Sequence, residues 1–433
     1  MRSRLIASVV VAFCLAAHAQ AQLAIAHVTV IDTTGGPSRP DTTVVIRDGR
    51  IASIGDAVPK GAEVIDGRGR FLIPGLWDMH VHLSWSKESA LHVLVANGVT
   101  GVRDLGGRLT EIDAWRTRIA FGSLVGPRIF RAGPILNGKR FNQYQMVPGN
   151  PDETRGVVRG LKEAGVDFIK VHRRMERDSY FAAIDEAKKQ GLPLVGHIPM
   201  TVSPEEASDA GQATIEHVVT LFEGTFSSAL KGRKEIDAMR QWCVEEGDKL
   251  AARFVRNHTA FDPTLIAYSP YFDSSGPLSR YVAQTFRTEA AKEPKPTPAQ
   301  LEESRVLLAV LEEVVRVMNK GGVTMLTGSD VAASRVPGFM LQQELVLLVE
   351  SGLSPLQALQ AATLNPARVL KISDDFGSVD TGKVADLVLL DADPLVDIHN
   401  TQRIAAVILG GKPLKRADLD ALLRKAEEMA KKE

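Results

Sequence analysis

The chain has 433 residues with 52 basic and 52 acidic side chains, so its formal net charge at pH 7 is zero. This length is too great for one small core and is enough for a large domain with a smaller one beside it. A hydrophobic content of 44% and a charged content of 24% are ordinary for a soluble globular protein. The balanced charge and the lack of a basic run exclude nucleic acid as an expected partner.

The first residues predict a targeting segment rather than a part of the fold. Two arginines precede an apolar stretch over residues 5–17, and two small-x-small sites end at Ala19 and Ala21. This order is typical of a secretory signal peptide over residues 1–21, cleaved after Ala19 or Ala21. An uncleaved membrane anchor is the alternative, but the apolar stretch is short for a bilayer. We therefore expect export, most simply to a bacterial periplasm, and no membrane attachment after cleavage.

Strand-like segments occur near both ends of the remaining chain. Residues 22–73 contain short apolar runs separated by turn residues, among them Asp48-Gly49, a dipeptide typical of a β-hairpin. Residues 377–415 contain similar runs. We predict that these two parts form one β-sandwich, followed by a C-terminal helix over residues 416–433.

Between these parts, residues 74–376 alternate strand-like and helix-like segments. The strand-like segments are 76–82, 99–104, 127–132, 166–171, 192–197, 212–217, 258–264 and 322–328. Four helix starts share a capping side chain, Pro at the first helical position and Glu or Gln at the third; the capping residues are Asn150, Ser203, Thr297 and Ser354. Eight strands with intervening helices predict an α/β fold, a (β/α)8 TIM barrel. The alternative, an open doubly wound sheet, normally has a glycine-rich turn after its first strand, and none follows residue 82.

Metal-binding side chains occur at the ends of the predicted strands, where such barrels place their chemistry. His80 and His82 end the first strand and share one face, because alternate strand residues point the same way. Four similar residues end strands four, five, six and eight: Lys170, His197, His217 and Asp330. Taken singly, each has an ordinary explanation, as a core histidine, a snorkelling lysine or a helix cap. Their common position predicts a metal centre.

This set of residues resembles the amidohydrolase superfamily. It is most similar to the secreted imidazolonepropionase-like and Xaa-dipeptidase-like members of that superfamily. The resemblance extends over the whole chain after the signal peptide, including both β parts and the stretches at 363–367 and 382–387. It implies a metal-dependent hydrolase that acts on carbon–nitrogen bonds.

The resemblance also implies two divalent metal ions, with zinc as the first expectation. His80 and His82 would bind the first ion, and His197 and His217 would bind the second. Imidazole nitrogens together with carboxylate-type oxygens are ligands that suit zinc.

Lys170 and Asp330 carry the implied chemistry. A lysine ammonium cannot bind a metal, but Lys170 carboxylated by carbon dioxide would be an anionic bridge between both ions. Asp330 would bind the first ion and act as general base and acid during attack of a metal-bridging hydroxide on the amide. Some relatives lack the strand-four lysine and use one ion, so Lys170 argues against a deaminase or a true imidazolonepropionase.

Specificity is expected from the loops that follow the strands. Arg173 and Arg174 could clamp a substrate carboxylate, although a solvated helix start explains such a pair equally well. Tyr144, His258 and Tyr268 are the other substrate-binding candidates. These residues favour a dipeptide or an N-acyl amino acid as the substrate.

Two other functions stay open at this point. A lactonase or esterase could use the same metal site, because the chemistry of attack is nearly the same. A non-catalytic secreted binding protein is a second alternative, although all six expected metal-site residues are present. The expected partner is a small molecule, and the sequence allows a homo-oligomer.

Overall fold

The structure is a computed structural model that describes residues 22–55, 57–224, 233–270 and 276–433. The predicted signal peptide therefore lies outside the described residues. Within these ranges, no helix combines the length and the apolar character that a membrane crossing requires.

Short strands alternate with helices along most of the chain. The strands are β1 Leu23–Val30, β2 Arg39–Arg47, β3 Arg50–Ile54, β4 Glu63–Asp66, β5 Phe71–Pro74, β6 Leu76–Val81, β7 Val99–Asp104, β8 Arg128–Arg131, β9 Ile135–Leu136, β10 Gln145–Met146, β11 Ile169–Val171, β12 Leu194–Gly196, β13 Thr214–Glu216, β14 Ala260–Asp262, β15 Leu387–Leu390, β16 Ile404–Leu409 and β17 Lys412–Lys415. The helices are α1 Leu83–Ser86, α2 Ser89–Ala96, α3 Leu109–Ala120, α4 Pro151–Glu163, α5 Arg177–Lys189, α6 Pro204–Ala210, α7 Arg233–Glu245, α8 Gly247–Asn257, α9 Gln284–Ala290, α10 Pro298–Lys320, α11 Phe339–Glu350, α12 Pro355–Ala361, α13 Leu364–Val369 and α14 Arg416–Ala430.

Both ends of the described chain contribute to one mixed sheet. Its strands run in the order β17-β16-β15-β5-β1-β2-β3, with β4 also paired to β1. The two ends meet where β15 pairs antiparallel with β5, and Leu387 lies opposite Pro74. The predicted Asp48-Gly49 turn joins β2 to β3, and both residues have positive φ as this tight hairpin requires. The common sheet is therefore observed, whereas its division into the two layers of a sandwich stays a prediction.

The segments between these ends form two parallel sheets, β6-β7-β8 and β10-β9-β11-β12-β13-β14. Each predicted strand from the first to the seventh contains an observed strand, and β9 and β10 are additional short strands that the sequence reasoning missed. The predicted strand over 322–328 is wrong as a regular strand. There the chain makes only isolated bridges, Phe261 with Met325 and Val81 with Val331. Asp330 lies between these bridges with φ +51°, so the backbone bends before a continuous ladder can form.

This irregular segment nevertheless connects the edges of the two parallel sheets. The Leu326 amide donates to the Phe261 carbonyl at 2.8 Å, on β14. The Met79 amide of β6 donates to the Thr327 carbonyl at 2.9 Å. The segment thereby brings the carboxyl end of β6 close to that of β14, which is where the histidines and carboxylates of the predicted site lie.

The predicted helix starts are confirmed by their capping hydrogen bonds. Asn150 accepts from the Glu153 amide, and full capping boxes start α6, α10 and α12. The longest helix, α10, buries Leu308, Leu311 and Val315 against the main core.

Candidate metal centre

Three ligand-type side chains come together where β6 meets the irregular segment. His80 and His82 flank the last residue of β6, and the Nε2 atoms lie 3.4 Å and 3.5 Å from the Asp330 Oδ1 atom. One nitrogen or oxygen of each residue lies within 4.8 Å of the others. Two imidazoles and a carboxylate at this separation can hold one divalent cation.

A row of imidazoles continues from this group. The ring centroids of His80 and His217 are 4.7 Å apart, those of His217 and His197 are 4.6 Å apart, and those of His197 and His172 are 4.2 Å apart. His217 has φ +68°, a backbone conformation that costs energy in a non-glycine residue and is found mainly at functional sites. The structure thus brings together the predicted His80, His197 and His217, which lie at the ends of β6, β12 and β13.

Lys170 lies beside this row at the centre of β11. Its side chain is buried, and the Nζ atom has no hydrogen-bond partner among the described residues. Burial lowers the pKa of Lys170 to about 8, so roughly a tenth of the amine is uncharged at pH 7, far more than for an ordinary lysine. An uncharged amine is the form that reacts with carbon dioxide.

Several buried nitrogens of the imidazole row also lack hydrogen-bond partners in the described structure: both ring nitrogens of His80, and Nδ1 of His172 and His197. Burial lowers the pKa of His217 to about 3 and that of His197 well below its ordinary value. These imidazoles are therefore neutral at pH 7, which is the form that binds metals. Buried, unpaired and neutral donors beside a lysine and an aspartate fit a site for divalent cations.

Hydrogen bonds orient two of the candidate ligands. The Nδ1 atom of His82 lies 3.3 Å from the Gly106 carbonyl oxygen, and Nδ1 of His217 lies 2.8 Å from Thr264 Oγ1. Each contact leaves Nε2 as the nitrogen available to a metal. Such contacts fix the ring orientation in known metal sites.

A buried arginine supports the strands below the centre. Arg103 of β7 donates from Nε to the Met79 carbonyl at 2.7 Å and from Nη2 to Glu216 Oε1 at 2.7 Å. Its Nη2 atom also lies 3.6 Å from Asp262 Oδ2. The sequence reasoning missed Arg103, although an arginine within the apolar run of β7 is a recognisable signal of a buried charge network.

Asp330 is held by charge as well as by geometry. Burial opposes its ionisation, but the hydrogen bond with His82 and the nearby positive charge of Arg335 hold the pKa of Asp330 below its ordinary value. Arg335 Nη1 donates to Asp330 Oδ2 and, at 2.8 Å, to the Asp330 carbonyl oxygen. Asp330 is therefore an anion that can bind a metal and accept a proton.

These groups open into a cavity of about 700 Å³. Arg173 and Tyr268 line it, as predicted for substrate-binding residues. Tyr144 lies one layer behind its wall, with its ring 4.3 Å from that of Trp85, which does line the cavity. Arg174 is exposed and lies over the Phe141 ring, 4.9 Å from its centroid, so the structure does not place it in the cavity.

The structure also places His258 away from the cavity. Helix α8 ends at Asn257, and His258 follows it in the left-handed conformation with φ +56°. The strand β14 therefore begins only at Ala260, and His258 lies before the amino end of the strand. Asp262, not His258, occupies the carboxyl end that faces the other candidate ligands.

The cavity lining also includes residues that were not predicted as site residues, among them Trp85, His172, Glu223 and Arg335. His172 follows Lys170 at the end of β11 and could have been included by the same reasoning from strand ends. Trp85 lies in the one-turn helix α1, and Glu223 and Arg335 lie on turns. Such short segments carry no periodic signal that would place a residue at a cavity wall.

The comparisons with known proteins agree with this geometry. The amidohydrolase family model matches residues 71–414, so the chain belongs to the amidohydrolase family. It is a hydrolase that acts on carbon–nitrogen bonds, as the resemblance implied.

Individual relatives cover nearly the whole chain. The 5-methylthioadenosine/S-adenosylhomocysteine deaminase of Thermoanaerobacter pseudethanolicus is 24% identical and covers 91% of this chain and 95% of its own. A proposed prolidase from Bifidobacterium longum is 28% identical, with a TM-score of 0.70 over 94% of this chain and 99% of that chain. An Xaa-Pro dipeptidase with methionine in its active site is 22% identical, with a TM-score of 0.67 over 91% and 100% of the two chains. The last likeness concerns the fold alone.

Proposed function

We propose that the protein is a binuclear amide hydrolase that cleaves a dipeptide or an N-acyl amino acid. The observation that carries this proposal is the buried, unpartnered Lys170 Nζ atom beside the row of neutral imidazoles. The proposed prolidase from Bifidobacterium longum, which is 28% identical, supports the choice of a dipeptide. We also propose that the two parallel sheets close into the eight-stranded barrel and that the chain is exported.

The residues present fit two zinc ions. His80, His82 and Asp330 would hold the first ion, and His197 and His217 would hold the second. When bound, the two ions supply a Lewis acid for the amide carbonyl and lower the pKa of water.

Lys170 and Asp330 perform the steps that belong to the chain itself. The neutral Lys170 amine attacks carbon dioxide, forms an N–C bond and releases one proton, which leaves a carbamate anion between the two sites. Asp330 accepts a proton from the attacking water on its carboxylate. It delivers that proton to the leaving nitrogen as the C–N bond breaks, so the free amine departs neutral.

The first test measures metal content and amide hydrolysis together. We would express the chain from Gln22, supply zinc with bicarbonate, and screen dipeptides and N-acyl amino acids. We expect about two zinc ions per chain and turnover that disappears in Lys170→Ala. That variant should bind one ion, whereas Lys189→Ala, which removes a surface lysine paired with Asp185, should match the wild type.

Each other result has a defined meaning. Two ions retained in Lys170→Ala would rule out the bridging role. Two ions without amide turnover would direct the search to lactones and other esters. No bound metal and no turnover would favour a secreted binding protein.

Export is tested separately from activity. We expect that protein recovered from the periplasm of an expressing bacterium begins at Gln20 or Gln22, as cleavage after Ala19 or Ala21 requires. A mature chain that retains Met1 would contradict the proposed signal peptide.

A further inference from the structure

Two arginines line the cavity, and their charges are balanced in different ways. Arg173 Nη1 contacts Glu223 Oε1 at 2.7 Å. The Glu223 side chain is 9% exposed and has Thr220 as its other hydrogen-bond partner. Glu223 is therefore the counter-ion of Arg173, and the positive charge of Arg173 is neutralised by a residue of the cavity lining.

Arg335 has no such dedicated partner among the described residues. Its carboxylate partner is Asp330, whose Oδ1 atom also lies within 3.5 Å of both His80 and His82. Within the described part of the chain, the Nη2 atom of Arg335 has a single long hydrogen bond, of 3.4 Å, to the Ala267 carbonyl oxygen. The carboxylate of Asp330 thus contacts Arg335 through one oxygen and His80 and His82 through the other.

The charge of the lining separates the two arginines. Within the described residues, Arg173 and Arg335 are the cavity bases that keep their charge when Lys170 is neutral or carboxylated. Arg173 is paired with Glu223, whereas the anion beside Arg335 is Asp330, itself a candidate metal ligand. Arg335 is therefore the base more available to a substrate carboxylate.

Arg335 is also held in a fixed position at the rim. Its amide donates to the Ala332 carbonyl at 3.0 Å, which closes a turn after Asp330. The next residue, Val336, is fully buried and packs in a cluster with Val93 and Tyr281. Because the turn is anchored on both sides, the guanidinium does not need to be ordered when a ligand binds.

We propose that Arg335 recognises the free carboxylate of the substrate and so selects N-acyl amino acids and dipeptides over their blocked derivatives. This inference rests on the proposed function of the same site. A planar guanidinium with five N–H donors can keep its contact with Asp330 and still offer a pair of donors to a second carboxylate. The sequence suggests Arg173 and Arg174 for binding the substrate carboxylate, whereas this proposal gives that role to Arg335, on a different turn.

The competing explanation is that Arg335 only positions Asp330. The two roles differ in which substrates they affect. A residue that positions Asp330 acts on every substrate through kcat. A residue that binds the carboxylate acts through KM, and only on substrates that have a free carboxylate.

The experiment compares Arg335→Gln and Arg335→Lys with the wild type on matched substrates. These are N-acetyl-leucine and N-acetyl-leucinamide, scored by release of leucine or leucinamide. We expect Arg335→Gln to raise KM for the free acid by about 10- to 100-fold, the value of a charged hydrogen bond, and to leave KM for the amide unchanged. Arg335→Lys should raise KM for the free acid less than Arg335→Gln does. Lysine keeps the positive charge but lacks the paired N–H donors of the guanidinium.

Arg155→Gln is the matched control. The Arg155 side chain is 32% exposed, as is that of Arg335, and it also pairs with one aspartate, Asp185, but on the outer surface between α4 and α5. This variant should leave both KM values unchanged. An unchanged KM for the free acid in Arg335→Gln, with any loss confined to kcat and equal on both substrates, would overturn carboxylate recognition.

A binding measurement separates failure of this inference from failure of the proposed function. Calorimetric titration of N-acetyl-leucine into the zinc-loaded protein does not require turnover. If the wild type hydrolyses neither substrate, the amide-hydrolase proposal fails. The recognition role is then supported by affinity that falls about 10-fold or more in Arg335→Gln, and is overturned by equal affinity of the variant and the wild type.

Discussion

A single methyl group added at Gly328 would enter the space between two site residues. A Cβ atom there would lie 2.4 Å from Asp262 Oδ2 and 2.5 Å from His80 Cβ. His80 Cβ is fixed by the backbone of β6 and the Asp262 carboxylate is fully buried, so the strand ends would have to shift. We expect Gly328→Ala to lower the free energy of unfolding by about 1–3 kcal/mol, as overpacking of a dense core does, and to weaken zinc binding.

The control is the same substitution at Gly160, in the interior of α4, where an added Cβ meets nothing within 4 Å. Alanine there should stabilise the chain by about 0.5–1 kcal/mol, because it favours the helix. Chemical denaturation measures both variants, and zinc content is measured on the folded proteins. Equal stability of the two variants would show that the space beside His80 is not tightly packed.

The residues of the site were predictable to the extent that they follow regular strands. His80, His82, His197 and His217 were identified because period-two alternation and strand ends place them at one edge. Arg335 was not, because its position depends on a turn that closes after an irregular segment. His258 was wrongly placed, because sequence alone does not show that α8 continues to Asn257 and delays the start of β14.

At the scale of elements, a buried glutamate joins α11 to the turn after β14. The Glu344 carboxylate accepts from the Leu265 amide at 3.0 Å and from the Ile266 amide at 2.6 Å. Burial raises the pKa of Glu344 to about 8 from its ordinary value of 4.5. The folded chain therefore holds a proton on Glu344 over a pH range in which the unfolded chain has lost it.

This difference predicts how stability depends on pH. Because the pKa of Glu344 is higher in the folded state, its contribution is fully present below pH 4.5 and is lost as the pH rises towards 8. In Glu344→Gln this titration is absent. The wild type should therefore lose stability relative to the variant across this range, by at most about 1.4 kcal/mol per pH unit, with no further change above the folded-state pKa.

Urea denaturation at several pH values measures the effect. Glu350→Gln, at the exposed end of the same helix, is the control and should show no such trend relative to the wild type. A constant difference between Glu344→Gln and the wild type would mean that Glu344 titrates alike in the folded and unfolded chains.

The elements themselves were predictable in proportion to their local signals. The four proline-containing caps were predicted and are observed, because capping depends on residues within one turn of helix. The prediction of a regular eighth strand was wrong, because contacts with β14 and β6 determine the conformation of residues 323–331 and the local alternation of apolar residues does not. A sequence window cannot contain the partners that decide such a segment.

At the scale of the whole molecule, the candidate site is assembled from segments that lie far apart in the sequence. The candidate ligands lie on or directly after β6, β11, β12 and β13 and in the segment before α11, so the proposed centre would join residues from 80 to 330. Buried nitrogens of His80, His197 and Lys170 have no hydrogen-bond partner within the described ranges, and an unsatisfied buried polar group disfavours the folded state. Metal binding should therefore stabilise the entire chain, since the unfolded chain does not assemble these donors.

We expect chelation to lower the thermal midpoint of the zinc-loaded protein and re-addition of zinc to restore it. At zinc concentrations about a hundred times the dissociation constant, each site adds roughly 2.7 kcal/mol to the free energy of unfolding. Lys170→Ala should recover only the part due to the first site, because His80, His82 and Asp330 remain. Differential scanning fluorimetry of both chains, with and without chelator, measures this. An unchanged midpoint in the wild type would mean that zinc does not bind these buried donors, whereas full recovery in Lys170→Ala would place both ions without the lysine.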